Sequence, residues 1–501
     1  MPSSTQPRRP FNRPDPFAEV STRNLGGKAR RGGAITAGSQ LVRLFIQLAR
    51  TAVLARLIEP FDFGLIATVV VYTQVLSVFA ESGLSGAAVQ SKTLNRRQAA
   101  TLFWINIAIG ALLTLIMIAL AWPIAWVYDQ PELFAIVSVS SFGFLISAVA
   151  QQHLALLRRQ LRWWSVSSVP VVSMLVSTAV AIAVAQYSPT YWALVAMTLS
   201  YAITTAVMAP LLTGWLPGRP GPLRESADLL RFGSHMLGFG VLNKLSRSVD
   251  NWLLSFVGPV QLAFYDKAYQ LMLKPIRQIN SPISAMAMPV LSRIQDEPER
   301  FRNAFAEVQE KIAMILLPLF AVLIVAGDWV ILVMLGEQWE QSIPIFRWLG
   351  VVGLVQGLTN SNGWVMMSQG RTADILKWGV FSATTTVASF AIGLPWGAQG
   401  VAIAYTLYSV GINTPALVWW IGRRGHISSL DYIRPNLTAV PAALAAAGVA
   451  LALRMNLPVG PFVGLLCVVG ASAVIVAWVY LMVPRSRRAL LAIVRSPGKK
   501  A

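Results

Sequence analysis

Charged residues and cysteine are both scarce in this chain of 501 residues. Asp, Glu, Lys and Arg make up only 12% of it, whereas 55% of its residues are hydrophobic. A soluble globular domain carries about 25% charged residues, so the deficit favours a polytopic membrane protein. The single cysteine, Cys467, excludes a disulfide within the chain and a cysteine metal cluster. The three histidines show no ligand spacing, so we expect neither a metal nor a cofactor.

Sequence motifs for nucleotide hydrolysis and for common hydrolytic chemistry are also missing. The phosphate loop G-x-x-x-x-G-K-[ST] does not occur, and neither does G-x-S-x-G or H-E-x-x-H. The predicted loops between apolar segments are short, which leaves no room for a catalytic domain outside the membrane. We therefore expect a protein that is neither an ATPase by itself nor an enzyme.

Long apolar segments recur along the whole chain. A membrane-spanning helix needs about 20 mostly apolar residues. This length predicts an all-α polytopic membrane protein with about fourteen transmembrane helices. Their approximate spans are 33–56, 62–90, 99–125, 132–156, 164–187, 190–214, 229–256, 260–290, 310–335, 342–368, 372–394, 398–421, 436–455 and 459–483.

The charges of the predicted loops alternate in sign. With the N-terminus inside, the even-numbered loops are basic, as at Arg97 and Arg159, whereas odd-numbered loops carry acids such as Asp129 and Glu337. Because cytoplasmic loops are enriched in Lys and Arg, this pattern predicts that both termini are cytoplasmic. The net charge of +20 is interpreted in the same way, as loops that contact anionic lipid headgroups, and no nucleic-acid partner is expected.

An internal repeat divides the chain. The run L-I-E-P-F-D-F-G-L-I at Leu57–Ile66 corresponds to F-V-G-P-V-Q-L-A-F-Y at residues 256–265. In both, a helix containing cations ends, a proline turn follows and a new helix opens, which predicts two six-helix bundles in a parallel pseudo-repeat. The predicted domains are a disordered basic cytoplasmic tail (1–30), an N-terminal six-helix bundle (31–216), a cytoplasmic linker (217–227), a C-terminal six-helix bundle (228–425), two additional transmembrane helices (426–484) and a second basic cytoplasmic tail (485–501).

Six cations lie inside predicted membrane helices, where each charge costs about 2.5–3.5 kcal/mol. They are Arg43, Arg50, Lys244, Arg247, Lys274 and Arg277. Amides on the same helical faces as these cations are Gln40, Gln47, Asn243 and Gln270, and Gln74 lies on a polar face of the second predicted helix together with Glu81. Two acids in comparable positions, Glu81 and Asp250, are too few to neutralise the cations, although they can serve as pairing or coupling acids. The surplus positive charge predicts a central cationic cavity that binds an anion; internal pairing, such as Arg247 with Asp250, is the alternative.

Several motifs resemble the oligosaccharide flippases (Wzx type) of the polysaccharide transporter family, including the colanic-acid and succinoglycan exporters. The resemblance covers roughly residues 26–425. It is carried by A-R-R-G-G-A-I-T-A-G-S-Q-L-V-R-L, by A-R-L-I-E-P-F-D-F-G-L-I-A, by E-S-G-L-S-G-A-A-V-Q, and by V-G-P-V-Q-L-A-F-Y-D-K-A-Y-Q, in which Ala263 replaces the usual glycine. It implies the fold of the multidrug/oligosaccharidyl-lipid/polysaccharide superfamily, with two bundles around a cationic cavity. Arg43 and Arg50 correspond by position to arginines in that family's first helix.

The resemblance also implies a function. The expected substrate is an undecaprenyl-pyrophosphate-linked oligosaccharide repeat unit, flipped by alternating access from the cytoplasmic to the periplasmic leaflet of a bacterial inner membrane for exopolysaccharide or lipopolysaccharide biosynthesis. Expected partners are this lipid-linked oligosaccharide, membrane lipids, and the polysaccharide polymerase and chain-length or export machinery. Two alternatives stay open: a cation-coupled multidrug exporter of the same superfamily, for which an acidic first helix is expected, and a membrane glycan polymerase or ligase.

Overall fold

The computed structural model describes residues 16–17, 25–80, 84–91, 93–231 and 249–482. Within these ranges the chain is nearly all helical and contains no β-strand, as predicted. It divides into two compact units, unit 1 (Met1–Val249) and unit 2 (Asp250–Ala501).

Unit 1 contains seven α-helices between Leu25 and Thr213, and the described residues 227–231 are also helical. The seven are α1 (Leu25–Leu57), α2 (Pro60–Ala80), α3 (Leu84–Gln90), α4 (Arg96–Val127), α5 (Glu132–Arg159), α6 (Trp163–Tyr187) and α7 (Tyr191–Thr213). Local chemistry fixes some of the ends. Asn95 caps α4, since its side chain accepts from the Gln98 N–H at 2.7 Å while the Gln98 side chain accepts from the Asn95 N–H at 3.1 Å. Gly214 ends α7 with a left-handed φ of 62°.

Helix α5 lies at the centre of unit 1, where it contacts α2, α3, α4, α6 and α7, while α1 packs on α6. A buried apolar cluster joins α2, α4, α5 and α7 through side chains such as Leu65, Met117, Ile136 and Val195. Gly110 allows α4 to approach α5 closely, because a Cβ there would lie 2.8 Å from the Cβ of Ala148.

Two parts of the predicted tail (1–30) lie within the described residues. Helix α1 begins at Leu25, eight residues before the predicted span 33–56. Further upstream, Phe17 packs edge-on against Trp215, with ring centroids 5.9 Å apart. The Arg96 guanidinium lies 5.5 Å from the centroid of the Phe17 ring. The contact with Trp215 is favourable because it removes apolar surface of the Phe17 ring from water.

Unit 2 begins with the short helix α8 (Val249–Ser255), whose first residue belongs to unit 1. The remaining helices are α9 (Pro259–Arg293), α10 (Pro298–Val325), α11 (Gly327–Met334), α12 (Ser342–Thr359), α13 (Asn362–Ser368), α14 (Thr372–Gly393), α15 (Gly397–Tyr408), α16 (Thr414–Gly422), α17 (Ser429–Leu437), α18 (Val440–Asn456) and α19 (Pro461–Met482). A π-helical turn, Ser409–Asn413, joins α15 to α16.

Some helix contacts of unit 2 match contacts of unit 1. Helix α12 takes the place of α5 and contacts α9, α10 and α15, just as α5 contacts α2, α4 and α7. Likewise α14 packs on α15 as α6 packs on α7. Helices α18 and α19 pack on each other and on α10, and they have no counterpart among the described helices of unit 1.

One turn occurs in both units with the same backbone path. It follows α5 in unit 1 and α13 in unit 2, and its left-handed residues are Leu161 (φ 54°) and Gly370 (φ 69°). The next residue is an arginine in each case. The Arg162 N–H donates to the Leu157 carbonyl at 3.1 Å, and the Arg371 N–H donates to the Met366 carbonyl at 2.8 Å.

The two turn arginines also make equivalent side-chain contacts. The Arg162 guanidinium donates to the Leu212 carbonyl at 2.8 Å, at the end of α7. The Arg371 guanidinium donates to the Ile421 carbonyl at 3.3 Å, at the end of α16. Arg162 and Arg371 are 209 residues apart, and so are Leu212 and Ile421. Both arginines therefore connect a turn to the C-terminal end of a helix, where unpaired carbonyls carry partial negative charge.

Nine helical segments within the described ranges are long and apolar enough to cross a membrane, or ten if α17 and α18, which meet at 43°, count as one. One of the nine, Thr372–Gly422, has 51 residues, more than twice the length that one crossing needs. The predicted spans 33–56 and 260–290 are helical in α1 and α9, but these helices are not among the nine apolar segments, because polar and charged side chains lower their hydropathy. The predicted span 229–256 lies mostly outside the described residues. The protein is a multi-pass membrane protein, and the count of fourteen stays a prediction.

Candidate functional site

A polar stripe runs along α1. Gln40, Arg43, Gln47 and Arg50 follow one another at intervals of three, four and three residues, so they share one helical face. All four are half-buried. Arg43 contacts its own helix, since its Nε donates to the Ser39 carbonyl at 3.4 Å. This long contact leaves most of the guanidinium donors for another partner.

The two arginines of the stripe have an aromatic neighbour on α7. The phenol of Tyr201 lies within electrostatic reach of both Arg43 and Arg50, and 38% of this tyrosine is exposed. The ion pairs found in the described part of the chain involve neither arginine. Glu81, the predicted pairing acid, lies outside the described residues, so its pairing with Arg43 or Arg50 stays a prediction.

A cavity of about 320 Å³ lies within unit 1, between α2, α5 and α7. We call it the unit 1 cavity. Gln74, predicted from the sequence, lines it together with Tyr201. The other polar lining residues are Thr73, Ser77, Ser140, Ser147, Gln151 and Thr198. Half of the lining residues therefore carry a neutral hydroxyl or amide, and the described lining contains no carboxylate and no cation.

Three of these hydroxyls, on Thr73, Ser77 and Thr198, donate to their own helix. Ser77 donates to the Gln74 carbonyl at 2.8 Å, and Thr198 donates to the Leu194 carbonyl at 3.0 Å. Because each hydroxyl has one proton and two lone pairs, its oxygen keeps the capacity to accept a hydrogen bond from a ligand. The Gln151 Oε1 accepts from the Ser85 hydroxyl at 3.5 Å, so its amide nitrogen is a further donor.

Sequence reasoning missed the α5 and α7 walls of this cavity. The signal was present on α5, where Ser140, Ser147 and Gln151 recur at helical spacing. It was overlooked because α5 and α7 read as apolar spans with scattered hydroxyls, and such residues are common in membrane helices.

In unit 2, the predicted residues Gln270, Lys274 and Arg277 lie on α9. Arg277 is exposed and Lys274 is half-buried. The Gln270 amide donates to the Asp266 carboxylate at 2.7 Å, and the Asn251 amide donates to the same carboxylate at 3.1 Å. Among the described residues, Arg277 is in no ion pair, so its charge is not neutralised there.

Asp250 is buried at the start of unit 2, with 5% of its surface exposed. Its carboxylate accepts from the Asn251 N–H at 2.8 Å and from the Tyr265 hydroxyl at 3.4 Å. The predicted partner Arg247 lies outside the described residues, as do Asn243 and Lys244. Asp250 therefore has neutral partners in the described part of unit 2, and its pairing with Arg247 stays a prediction.

A second cavity, of about 940 Å³, lies between α14 and α15 in unit 2. Its wall is mainly apolar and includes Ile392, Trp396, Ile403 and Leu407. Ile392, Trp396 and Leu407 are all more than 60% exposed. This composition fits hydrocarbon rather than a charged or heavily hydroxylated ligand.

Comparison with known proteins adds independent information. Residues 53–344 match the profile of the family described as "Polysaccharide biosynthesis protein". The Lipopolysaccharide biosynthesis protein WzxC of Escherichia coli (strain K12) is 26% identical over 402 residues, which cover 78% of this chain and 80% of that protein. The Teichuronic acid biosynthesis protein TuaB of Bacillus subtilis (strain 168) is 27% identical over 354 residues, which cover 69% of this chain and 72% of that protein.

Among solved structures, "Lipid II flippase MurJ, inward closed conformation" matches with a TM-score of 0.70 and 13% sequence identity, covering 90% of this chain and 98% of that one. At such low identity the likeness shows the fold alone, and that fold is a polytopic helical membrane fold. The family match extends over more than half of the chain. The chain therefore belongs to the polysaccharide biosynthesis protein family.

Proposed function

We propose that the protein is a flippase that moves an undecaprenyl-pyrophosphate-linked oligosaccharide from the cytoplasmic to the periplasmic leaflet. The observation that carries the proposal is the pair Arg43 and Arg50 on α1, with no described carboxylate within ion-pair distance. A mid-membrane cation is costly and faces a protein interior or a water-filled cavity. A pyrophosphate offsets that cost through charge-assisted hydrogen bonds, which are often bidentate with arginine.

The relatives support a glycan substrate. WzxC and TuaB are named for lipopolysaccharide and teichuronic acid biosynthesis, and MurJ is named as a flippase of lipid II. A flippase of a lipid-linked glycan is consistent with these names. The proposed substrate has the same parts: an anionic head, a polar glycan and an apolar tail that can stay in lipid.

Other predicted residues take supporting roles in this proposal. Lys274 and Arg277 on α9 add positive charge for the anionic head. Lys244 and Arg247, which are not among the described residues, are proposed to have the same role. Gln40, Gln47, Gln74, Asn243 and Gln270 bind hydroxyls, and Glu81 and Asp250 are the pairing or coupling acids. A negative cell interior assists outward movement of the head by about 2.3 kcal/mol per charge per 100 mV.

The proposed architecture has two six-helix bundles (31–216 and 228–425) in a parallel pseudo-repeat, joined by a cytoplasmic linker (217–227) and followed by two more membrane helices (426–484). It is supported by the matching helix contacts in the two units and by the equivalent turns at Arg162 and Arg371. The alternating loop charges support cytoplasmic termini in a bacterial inner membrane. The proposed partners are membrane lipids and the polymerase and export machinery of the same polysaccharide.

The second candidate function is a cation-coupled multidrug exporter of the same superfamily. Such an exporter is expected to have an acidic first helix, whereas the polar stripe of α1 is basic. A membrane polymerase or ligase needs a positioned acid or base next to an aqueous cavity, and the described lining of the unit 1 cavity contains no carboxylate.

Deletion of the gene in its own host separates flipping from drug export. We expect loss of one cell-surface polysaccharide and accumulation of its lipid-linked repeat unit, measured by mass spectrometry of extracted lipids. A plasmid copy of the gene should restore the polysaccharide and end the accumulation of the lipid-linked repeat unit. A deletion strain that also lacks the initiating sugar transferase should accumulate no repeat unit. Normal polysaccharide together with a raised sensitivity to lipophilic cations would favour the exporter instead.

A further inference from the structure

The unit 1 cavity has the chemistry of a carbohydrate site. We propose that it is a sugar subsite that binds the sugar attached directly to the pyrophosphate; this inference rests on the proposed function. A sugar hydroxyl both donates and accepts, so it needs acceptors and donors side by side. The cavity supplies acceptors in the oxygens of Ser77 and Thr198 and a donor in the amide of Gln151, and Gln74 adds a second amide to the wall.

The rest of the wall suits the apolar side of a sugar ring. Phe144 and Tyr201 present aromatic surface, and Ile66, Val69 and Val195 present aliphatic surface. A pyranose has C–H groups that pack on such surfaces while its hydroxyls reach polar groups. A wall of apolar surface with a few placed polar groups is typical of small-molecule sites.

The size of the cavity limits what it holds. Small-molecule sites usually enclose about 300–1,000 Å³, and the unit 1 cavity measures about 320 Å³. This space accommodates a single sugar ring but not a whole repeat unit. The remaining sugars must lie elsewhere, so the subsite selects for one position in the glycan.

Tyr201 links the subsite to the proposed anion site. It lines the cavity, and its phenol lies within electrostatic reach of Arg43 and Arg50. In this proposal, a pyrophosphate held by these arginines carries its first sugar into the cavity that Tyr201 lines. The neutral lining also explains why the cavity does not itself bind the anion, because a phosphate without cationic partners is poorly solvated there.

The first test compares two lipids on purified full-length protein in detergent: undecaprenyl pyrophosphate, and undecaprenyl pyrophosphate that carries one hexose. The wild-type protein should bind the glycosylated lipid more tightly. Gln74→Ala and Gln151→Ala should weaken binding of the glycosylated lipid about tenfold, as loss of a buried hydrogen bond does, and leave the bare lipid unchanged. Equal wild-type affinities for the two lipids, or equal losses for both in the variants, would overturn the subsite.

The second test does not depend on loss of binding. In a Cys467→Ser background, Ser77→Cys and Ser147→Cys place one thiol each in the cavity, while Gln186→Cys, exposed at the end of α6, is the matched control. The glycosylated lipid should slow maleimide labelling at the two cavity positions, the bare lipid should not, and the control should be unaffected by either. Equal protection by both lipids, or none by the glycosylated one, would contradict the proposal.

Failure of the proposed function gives a different result. In that case Arg50→Ala would bind both lipids as the wild type does, whereas sugar-dependent protection at Ser77→Cys would persist. If the subsite alone is wrong, Arg50→Ala would weaken binding of both lipids and the two cysteines would show no sugar-dependent protection.

Discussion

Replacing Arg43 and Arg50 together by alanine is expected to abolish polysaccharide export while the protein still reaches the membrane at normal levels. Both guanidinium groups lie on the polar stripe of α1, and no described acid pairs with either. Each charge-assisted hydrogen bond to a phosphate contributes about 1.5–3 kcal/mol, so losing both arginines should weaken headgroup binding at least about 100-fold. The measurement is complementation of a flippase-null strain, with membrane levels checked by immunoblot.

Helix α1 offers a matched control. Arg56 lies in its last turn, is exposed, and donates to the Ala52 carbonyl of its own helix at 2.9 Å. Arg56→Ala should export nearly as well as the wild type, because an arginine at a helix end extends to the membrane interface. Arg50→Lys should retain part of the activity, since lysine keeps the charge but loses the planar fork. Normal export by the Arg43→Ala, Arg50→Ala protein would contradict the anion-binding role of α1.

Gly353→Leu is expected to destabilise unit 2 more than any surface substitution. Gly353 lies on α12, where an added Cβ would collide with the ring of Phe320 on α10 and lie 2.9 Å from Met272 on α9. Gly350 and Gly357 make similar approaches to Ile324 and Leu316 of α10, at 2.8 and 2.7 Å. Overpacking such a contact costs about 1–3 kcal/mol or more, which lowers the unfolding temperature by about 2–10 °C. Thermal unfolding of purified protein in detergent, followed by tryptophan fluorescence, measures the effect.

The control for this change is the same substitution on α14. Gly379 has open space where its Cβ would be, with no atom within 4 Å. Gly379→Leu should therefore leave the unfolding temperature within about 1 °C of the wild-type value. If the Gly353→Leu protein unfolded at the same temperature as the Gly379→Leu protein, the close packing of α12 against α10 at Gly353 would be contradicted.

Much of the fold follows from the sequence because bilayer thickness dictates helix length. Helices α4 to α7 lie where long apolar runs predict them, and the stripe of Arg43 and Arg50 follows from a spacing of three and four residues. The G-x-x-x-G spacing of Gly353 and Gly357 is a weak packing signal in the sequence, and the structure gives it a partner in α10.

The unpredicted features depend on contacts between distant segments. The unit 1 cavity requires α2, α5 and α7 to meet, and no local pattern specifies that Gln151 and Tyr201 face the same space as Gln74. The contact of Asp250 with Tyr265 was missed for a similar reason, because charge counting favoured a cationic partner. The left-handed Leu161 was also unforeseen, since a branched side chain rarely adopts positive φ.

Translocation by the purified protein in liposomes tests the proposed function most directly. Liposomes are loaded with undecaprenyl pyrophosphate carrying one radiolabelled hexose, and an external pyrophosphatase releases label only from the outer leaflet. Wild-type protein should make the inner-leaflet pool accessible within minutes, whereas protein-free liposomes and the Arg43→Ala, Arg50→Ala protein should leave it protected. If the wild-type protein released no more label than protein-free liposomes, or if the double variant matched the wild type, the flippase with an arginine-lined anion site would be contradicted.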